Sequence, residues 1–363
     1  MSSEPDDVAI CHDYLTQRGG AERVVLTLAE AFDRPPIHTA LFEPRGTYPE
    51  FAELDVRPGP LDRIAAVRQH HRWSLPLMAW SFGRVVSDAD VTVCSSSGWA
   101  HGVSATGRKV VYCHSPARWL YRPDNYLEHF GQGARLALRG ARRWLFSWDQ
   151  AAMQTADVIV ANSTAIAHQV GEVYGRECEV VPPSSPLMNP GPVEDVNDLA
   201  PNFVLCVSRL LGYKHLDLLI DVARMLSHRQ FVVVGDGPHE EHLVKNAPSN
   251  IRWMGVVDDA RLRWCYQKCG LLLSTSEEDF GLTPLEAAAY GRPSVVPRAR
   301  GYLDHVAESV TGLFHDGSRE RCSEAIEETM TRVWDTAQIV AQSRLFGSDV
   351  FVKQMQSIVD ELR

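Results

Sequence analysis

Leu271–Pro297 reads LLLSTSEEDFGLTPLEAAAYGRPSVVP, and the fold follows from it. Leu271–Leu273 is an apolar run that stops in small hydroxyl residues, Ser274, Thr275 and Ser276. That is the pattern of a buried parallel strand at its carboxyl end. An acidic turn, Glu277-Glu278-Asp279, and Phe280-Gly281-Leu282 follow. Thr283 suits a helix cap and Pro284 the first helical position, with Leu285 to Ala289 continuing the helix. Gly291 can end that helix, Pro293 forbids its continuation, and Ser294-Val295-Val296 reads as the next strand. The unit is strand, loop, helix, strand, with its polar residues gathered where an open α/β sheet binds ligands.

The loop has a chemistry of its own. Glu278 and Glu286 are separated by seven residues. Backbone N–H groups of Phe280, Gly281 and Leu282 precede a helix N-terminus, where free donors and the positive dipole end favour an anion. Gly281 permits close backbone approach, and a carboxylate accepts from vicinal sugar hydroxyls. The run E-E-D-F-G-L-x-P-L-E-A-x-A-x-G-x-P-S-V resembles the E-x7-E signature of retaining glycosyltransferases of family 4, with Glu278 as the first glutamate and Glu286 as the second. The resemblance implies an α/β GT-B fold: two Rossmann-like domains facing a cleft, with a C-terminal helix crossing back to the first domain.

The chain of 363 residues suits two domains. No run of about 18 apolar residues exists to span a membrane, and the acidic start MSSEPDDVAI lacks a signal peptide's basic and apolar regions, so a cytoplasmic protein is expected. The eight cysteines form no C-x-x-C pair and mostly sit in apolar runs, as buried thiols do. A formal net charge of −10 argues against nucleic acid as a partner. Charge is nonetheless uneven: from Arg57 to Arg143 thirteen basic residues face five acidic ones. Trp73, Leu75, Leu77, Met78, Trp80 and Phe82, then Trp144, Leu145, Phe146 and Trp148, lie among Arg139, Arg142, Arg143 and the other bases. Two readings stay open: tryptophans in the core with solvated arginines, or peripheral contact with an anionic inner membrane face.

The first domain is read as residues 1–185. Val8–His12 is its first strand and Ala21–Phe32 the next helix, joined by a turn containing Gly19 and Gly20. Two glycines there allow close approach to a phosphate or sugar; a dinucleotide loop G-x-G-x-x-G is absent, which argues against a dehydrogenase. The form C-H-D-Y-L-x-x-x-G-G-A-E-R-V resembles the family's opening, whose Gly-Gly turn faces donor phosphates and acceptor. Ile37–Phe42 and Val91–Cys94 read as strands; Asp88-Ala89-Asp90 precedes its strand and reads as a solvated turn, not a metal-binding D-x-D. Lys109–Cys113 is a strand delivering His114 at its end. By resemblance of Y-C-H-S-P, His114 contacts the transferred sugar. Asp157–Ser163 is another strand with a helix cap.

Residues 186–201, rich in proline, read as a linker. The second domain, 202–345, restarts the alternation with the strand Phe203–Val207. Arg209 and Lys214 follow it, a planar fork and a point charge suited to a diphosphate without metal; S-R-L-x-x-Y-K resembles the family's donor-phosphate motif. After Phe231–Gly235 and Ile251–Val256, Gly255 and Val256 resemble the loop receiving the base. Residues 346–363 form the last helix, with Val350, Phe351, Met355, Ile358, Val359 and Leu362 apolar.

The resemblance implies a metal-independent, retaining transfer of a hexose from a nucleotide diphosphate sugar, GDP-mannose favoured, to a glycan, lipid-linked or small-molecule acceptor. No cofactor is expected. An epimerase of related fold and a non-catalytic sugar-nucleotide-binding protein are the alternatives.

Overall fold

The computed structural model describes residues 7–64, 67–68, 75–121 and 132–363, with the backbone alone for 75–76 and 132–139. Arg72, Trp73 and Arg122 lie outside the described residues, as do the side chains of Leu75, Arg135 and Arg139. The chain divides into two compact units, Met1–Pro183 with Ser348–Arg363, and Ser184–Gly347.

The first unit holds β1 (Val8–His12), β2 (Ile37–Thr39), β3 (Val56–Pro58), a minor pair β4 (Val86–Ser87) and β6 (Ser104–Ala105), and β5 (Val91–Ser96), β7 (Arg108–Cys113), β8 (Val158–Ala161) and β9 (Glu179–Val180). Its main sheet has the order β3-β2-β1-β5-β7-β8-β9 and is parallel throughout. All residues of β1 and β5 are buried, as expected of strands covered on both faces. β2 is shorter than its apolar run suggests. The edge strand β3 ends at Pro58, which donates no ladder bond, and its short run carried no strand signal.

The helix Ser348–Asp360 turns Phe351, Met355, Ile358 and Val359 onto Val24, Val25 and Leu28 of the helix Gly20–Ala31. That spacing is one helical stripe. The Phe351 ring meets Tyr112 edge-on at 5.7 Å, and Gln356 donates to the Ala31 carbonyl at 2.7 Å.

The second unit holds β10 (Val204–Val207), β11 (Phe231–Val234), β12 (Ile251–Trp253), β13 (Leu271–Leu273), β14 (Ser294–Pro297) and β15 (Gly312–His315), ordered β12-β11-β10-β13-β14-β15 and all parallel. Residues 186–201, read from sequence as a linker, pack here: Leu187, Val196 and Leu199 join Phe203 and Trp264 in the core. In both sheets the strands are added outward on one side of the first, then on the other. The switch falls between β1 and β5 in one unit and between β10 and β13 in the other. Loops at the carboxyl ends of such a strand pair diverge and leave room for a ligand.

Candidate active site

In the second unit, β10 and β13 deliver the charged residues. Lys214 donates to Glu278 Oε1 at 2.5 Å, and Ser276 Oγ donates to the same oxygen at 2.7 Å. The Lys214 side chain is 12% exposed and that of Glu278 25%, so the pair is shielded without being sealed. Arg209, on the loop after β10, donates to the Tyr213 hydroxyl at 3.1 Å. That loop is seated by two glycines that the sequence reading placed at a strand end and in a turn without giving them a role. Gly235 and Gly237 have φ of +130° and +155°, and a Cβ on them would lie 2.0 Å from Ser208 O and 2.4 Å from Leu210 O. The sequence marks them as Gly235 and the D-G-P turn that follows it after β11.

The acidic loop after β13 is held from behind by the segment after β14. Arg300 pairs with Asp279 and, at 3.3 Å, with Glu277. Gly301 N donates to the Glu278 carbonyl at 3.2 Å. His305 Nε2 donates to Phe280 O at 3.0 Å, and His315 Nε2 donates to Ser274 O at 2.9 Å. Phe280 is buried against His305. Gly281 has φ of +85°, and a Cβ there would fall 2.3 Å from the Tyr302 ring. Its glycine is therefore demanded by packing within the unit as well as by any close approach of ligand. Leu282, not Thr283, is the N-cap of the helix Thr283–Ala289, and it supplies no side-chain acceptor to the first turn.

Glu286 is 4% exposed and already bonded: Ser185 Oγ donates to Oε1 at 2.5 Å and Tyr266 OH to Oε2 at 2.5 Å. Gly255 has φ of +63° with open space where a Cβ would stand, and Val256 beside it is 56% exposed.

In the first unit, His114 follows β7 and is nearly buried. Burial, then the neighbouring His12 and Arg118, hold its imidazole down to about 3, so it is neutral at physiological pH. Its Nε2 lies 2.8 Å from Ser95 Oγ, and Asn162 Nδ2 donates to its carbonyl at 3.0 Å. Gly19 is the N-cap of the helix Gly20–Ala31; a Cβ there would lie 2.6 Å from Glu22 Oε2, so its place is taken by a buried carboxylate. Gly20, the first helical residue, is exposed. Asp13 accepts from the N–H groups of Ser97, Trp99 and Ala100 and so shapes the loop after β5. Asp88 and Asp90 are exposed and precede β5.

Residues 18–184 match the family model described as Glycosyltransferase Family 4, and residues 201–332 that of Glycosyl transferases group 1. The chain belongs to glycosyltransferase family 4. This glycosyltransferase is 24% identical to the alpha-1,3/1,6-mannosyltransferase ALG2 of Homo sapiens over 95% of its own length and 93% of the relative's. It is 34% identical to a GDP-mannose-dependent alpha-mannosyltransferase of Corynebacterium glutamicum over 30% of its length and 26% of that protein. Anabaena HepE, solved in complex with UDP, superposes with a TM-score of 0.70 at 18% identity, over 98% of this chain and 100% of that one. The fold is GT-B, and the chain is an enzyme of glycosyl transfer.

Proposed function

We propose that this glycosyltransferase moves a hexose, mannose in the first place, from a nucleotide diphosphate sugar to a glycan, lipid-linked glycan or small-molecule acceptor, with retention and without a divalent cation. The observation that carries the reading is the grouping of Arg209, Lys214 and Glu278 at the carboxyl ends of the adjacent strands β10 and β13, where the sheet reverses. Mannose and GDP are favoured because the human relative is named a mannosyltransferase and the Corynebacterium one GDP-mannose-dependent. In this reading Arg209 and Lys214 bind the diphosphate, with the N–H groups around Gly281, and stabilise the charge that grows on it as the bond to the anomeric carbon breaks. Glu278 accepts from hydroxyls of the donor sugar, and His114 meets the same sugar. Glu286 binds the ribose, whose hydroxyls must displace Ser185 or Tyr266 as its donors. Gly255 and Val256 line the base. The acceptor oxygen bonds to the anomeric carbon, and its proton goes to the leaving phosphate.

The test is a panel of nucleotide sugars incubated with and without acceptor glycans, with EDTA in parallel. Nucleotide release that needs an acceptor and survives EDTA is expected. A strict need for added Mn²⁺ or Mg²⁺ would overturn the metal-free mechanism; conversion of the sugar nucleotide without acceptor would show an epimerase. As to place in the cell, we read the first unit as meeting an anionic membrane surface. Among the described residues no helix is long and apolar enough to cross a membrane. Leu77 and Trp80, and Trp144 and Phe146, are 41–49% exposed on two helices that touch, with Arg84 stacked on Trp80 and Arg142 and Arg143 exposed beside Trp144.

A further inference from the structure

The carboxyl ends of three neighbouring strands carry a connected polar chain that the reading above does not use. His12 ends β1, Ser95 is its register partner on β5, and His114 follows β7. His12 Nδ1 lies 3.1 Å from both the carbonyl and the hydroxyl oxygen of Ser95, and Ser95 Oγ lies 2.8 Å from His114 Nε2. Beyond His12, Glu22 Oε1 is 4.0 Å from Nε2, and Gln17 donates to that same oxygen at 3.0 Å. His12, Ser95 and Glu22 are at most 2% exposed. Three buried polar groups in series at the switch point of a sheet carry a desolvation cost that an apolar core would avoid.

The proton on His12 Nδ1 can be placed by chemistry alone. A carbonyl oxygen only accepts, so His12 Nδ1 must carry a proton to bond Ser95 O. The same N–H faces Ser95 Oγ, and a serine that accepts from His12 is able to turn its own proton toward His114. In that arrangement His114 Nε2 is the acceptor, and the proton of a neutral His114 sits on Nδ1. Burial disfavours a second proton on His12, but Glu22 and then Asp13 outweigh it and raise its pKa above the ordinary imidazole value. A charge on His12 opposes protonation of His114.

We propose that His12 and Ser95 are positioning residues for the transfer, fixing His114 as its Nδ1–H tautomer so that it meets the sugar as a hydrogen-bond donor, with Glu22 anchoring His12 from behind. The inference rests on the reading of His114 as a contact to the transferred sugar. In the other tautomer an unprotonated Nδ1 would face the sugar and could only accept, as when an orienting group is removed from a histidine and the ring keeps its place with the proton on the wrong nitrogen.

The experiment uses the full chain labelled with ¹⁵N-histidine, and the His114→Gln variant identifies the His114 signals. Long-range ¹H–¹⁵N spectra at pH 7.5 should show His114 protonated at Nδ1 in the wild type and in Ser95→Thr, which keeps the hydroxyl. Ser95→Ala should shift it to Nε2–H or to a mixture, and should lower kcat roughly 10–100-fold, the usual loss when an orienting partner is removed, with KM for the donor within about twofold. Ser95→Thr should recover most of that kcat. An Nε2–H tautomer in the wild type overturns the proposal, as does a Ser95→Ala enzyme with unchanged tautomer or unchanged kcat. A wild type without transferase activity would instead refute the functional reading, while the spectra would still report on the chain of bonds.

Discussion

Glu278 accepts hydrogen bonds from Lys214 and Ser276 on one oxygen, and Arg209 stands on the facing loop. Replacing Glu278 or Arg209 by alanine is expected to cut turnover by about 10²–10³, the usual cost of one oriented charge contact in an enclosed site, with the melting temperature nearly unchanged because neither side chain is in a core. Near-normal turnover in both variants would move the site elsewhere. His305 has a different consequence. Its Nε2–H is committed to Phe280 O, and its buried Nδ1 has no hydrogen-bond partner among the described residues, so a second proton is poorly accommodated. Burial accordingly pulls it down to about 4 from 6.5. Between these values the unfolded chain binds the proton and the folded chain does not, so stability falls as pH falls below 6.5. At pH 5 the loss from this group is about 2 kcal/mol, at about 1.4 kcal/mol per unit. Urea unfolding at pH 7 and pH 5 should show a pH effect smaller by that amount in His305→Gln, whose amide can still donate to Phe280 O. An identical pH effect in the variant would contradict this.

At the scale of elements, two left-handed glycines separate conformation from packing. Gly255 has open space beside it, whereas Gly281 lies on the Tyr302 ring. Gly255→Ala should cost only the strain of the left-handed backbone, about 1–2 kcal/mol. Gly281→Ala adds a steric clash and should cost clearly more, while raising KM for the donor as the loop between β13 and its helix shifts. Equal losses in urea melts would mean that Tyr302 yields freely. The helix itself was legible from its Pro284 and Gly291, but its first residue was not. Thr283 has a capping side chain, yet Leu282 occupies the cap, because the loop behind is set by Gly301 and Arg300 and not by local preference.

For the whole molecule, an acidic chain with one basic stretch, residues 57–143, calls for a salt test. The net charge of −10 repels an anionic surface, so attraction must be local, each arginine near the surface contributing about 1 kcal/mol. Sedimentation with anionic liposomes should be seen at low salt, lost at high salt, and lost when Arg84, Arg142 and Arg143 are changed to Glu. Binding insensitive to those changes, or no binding at low salt, would favour a soluble acceptor and a solvated face.

What the sequence determined by itself is the order of strands and helices, and the positions where apolar runs end in polar residues. Strands buried on both faces read as apolar runs, so a step in polarity marks their carboxyl ends, where Arg209, Lys214, Glu278 and His114 stand; the roles read for them came from the family resemblance. His12 and Ser95 obey the same rule but gave no chemical hint singly, since each acquires a role only from the other. Tertiary structure decided those partnerships: His12 with Ser95 through the register of β1 on β5, Glu286 with Ser185 across 101 residues, and the acidic loop with Arg300, Tyr302 and His305. Local periodicity says which face of an element is buried. Which donor meets which acceptor depends on strand register and on the path of distant loops, and these exist only once the sheets have formed.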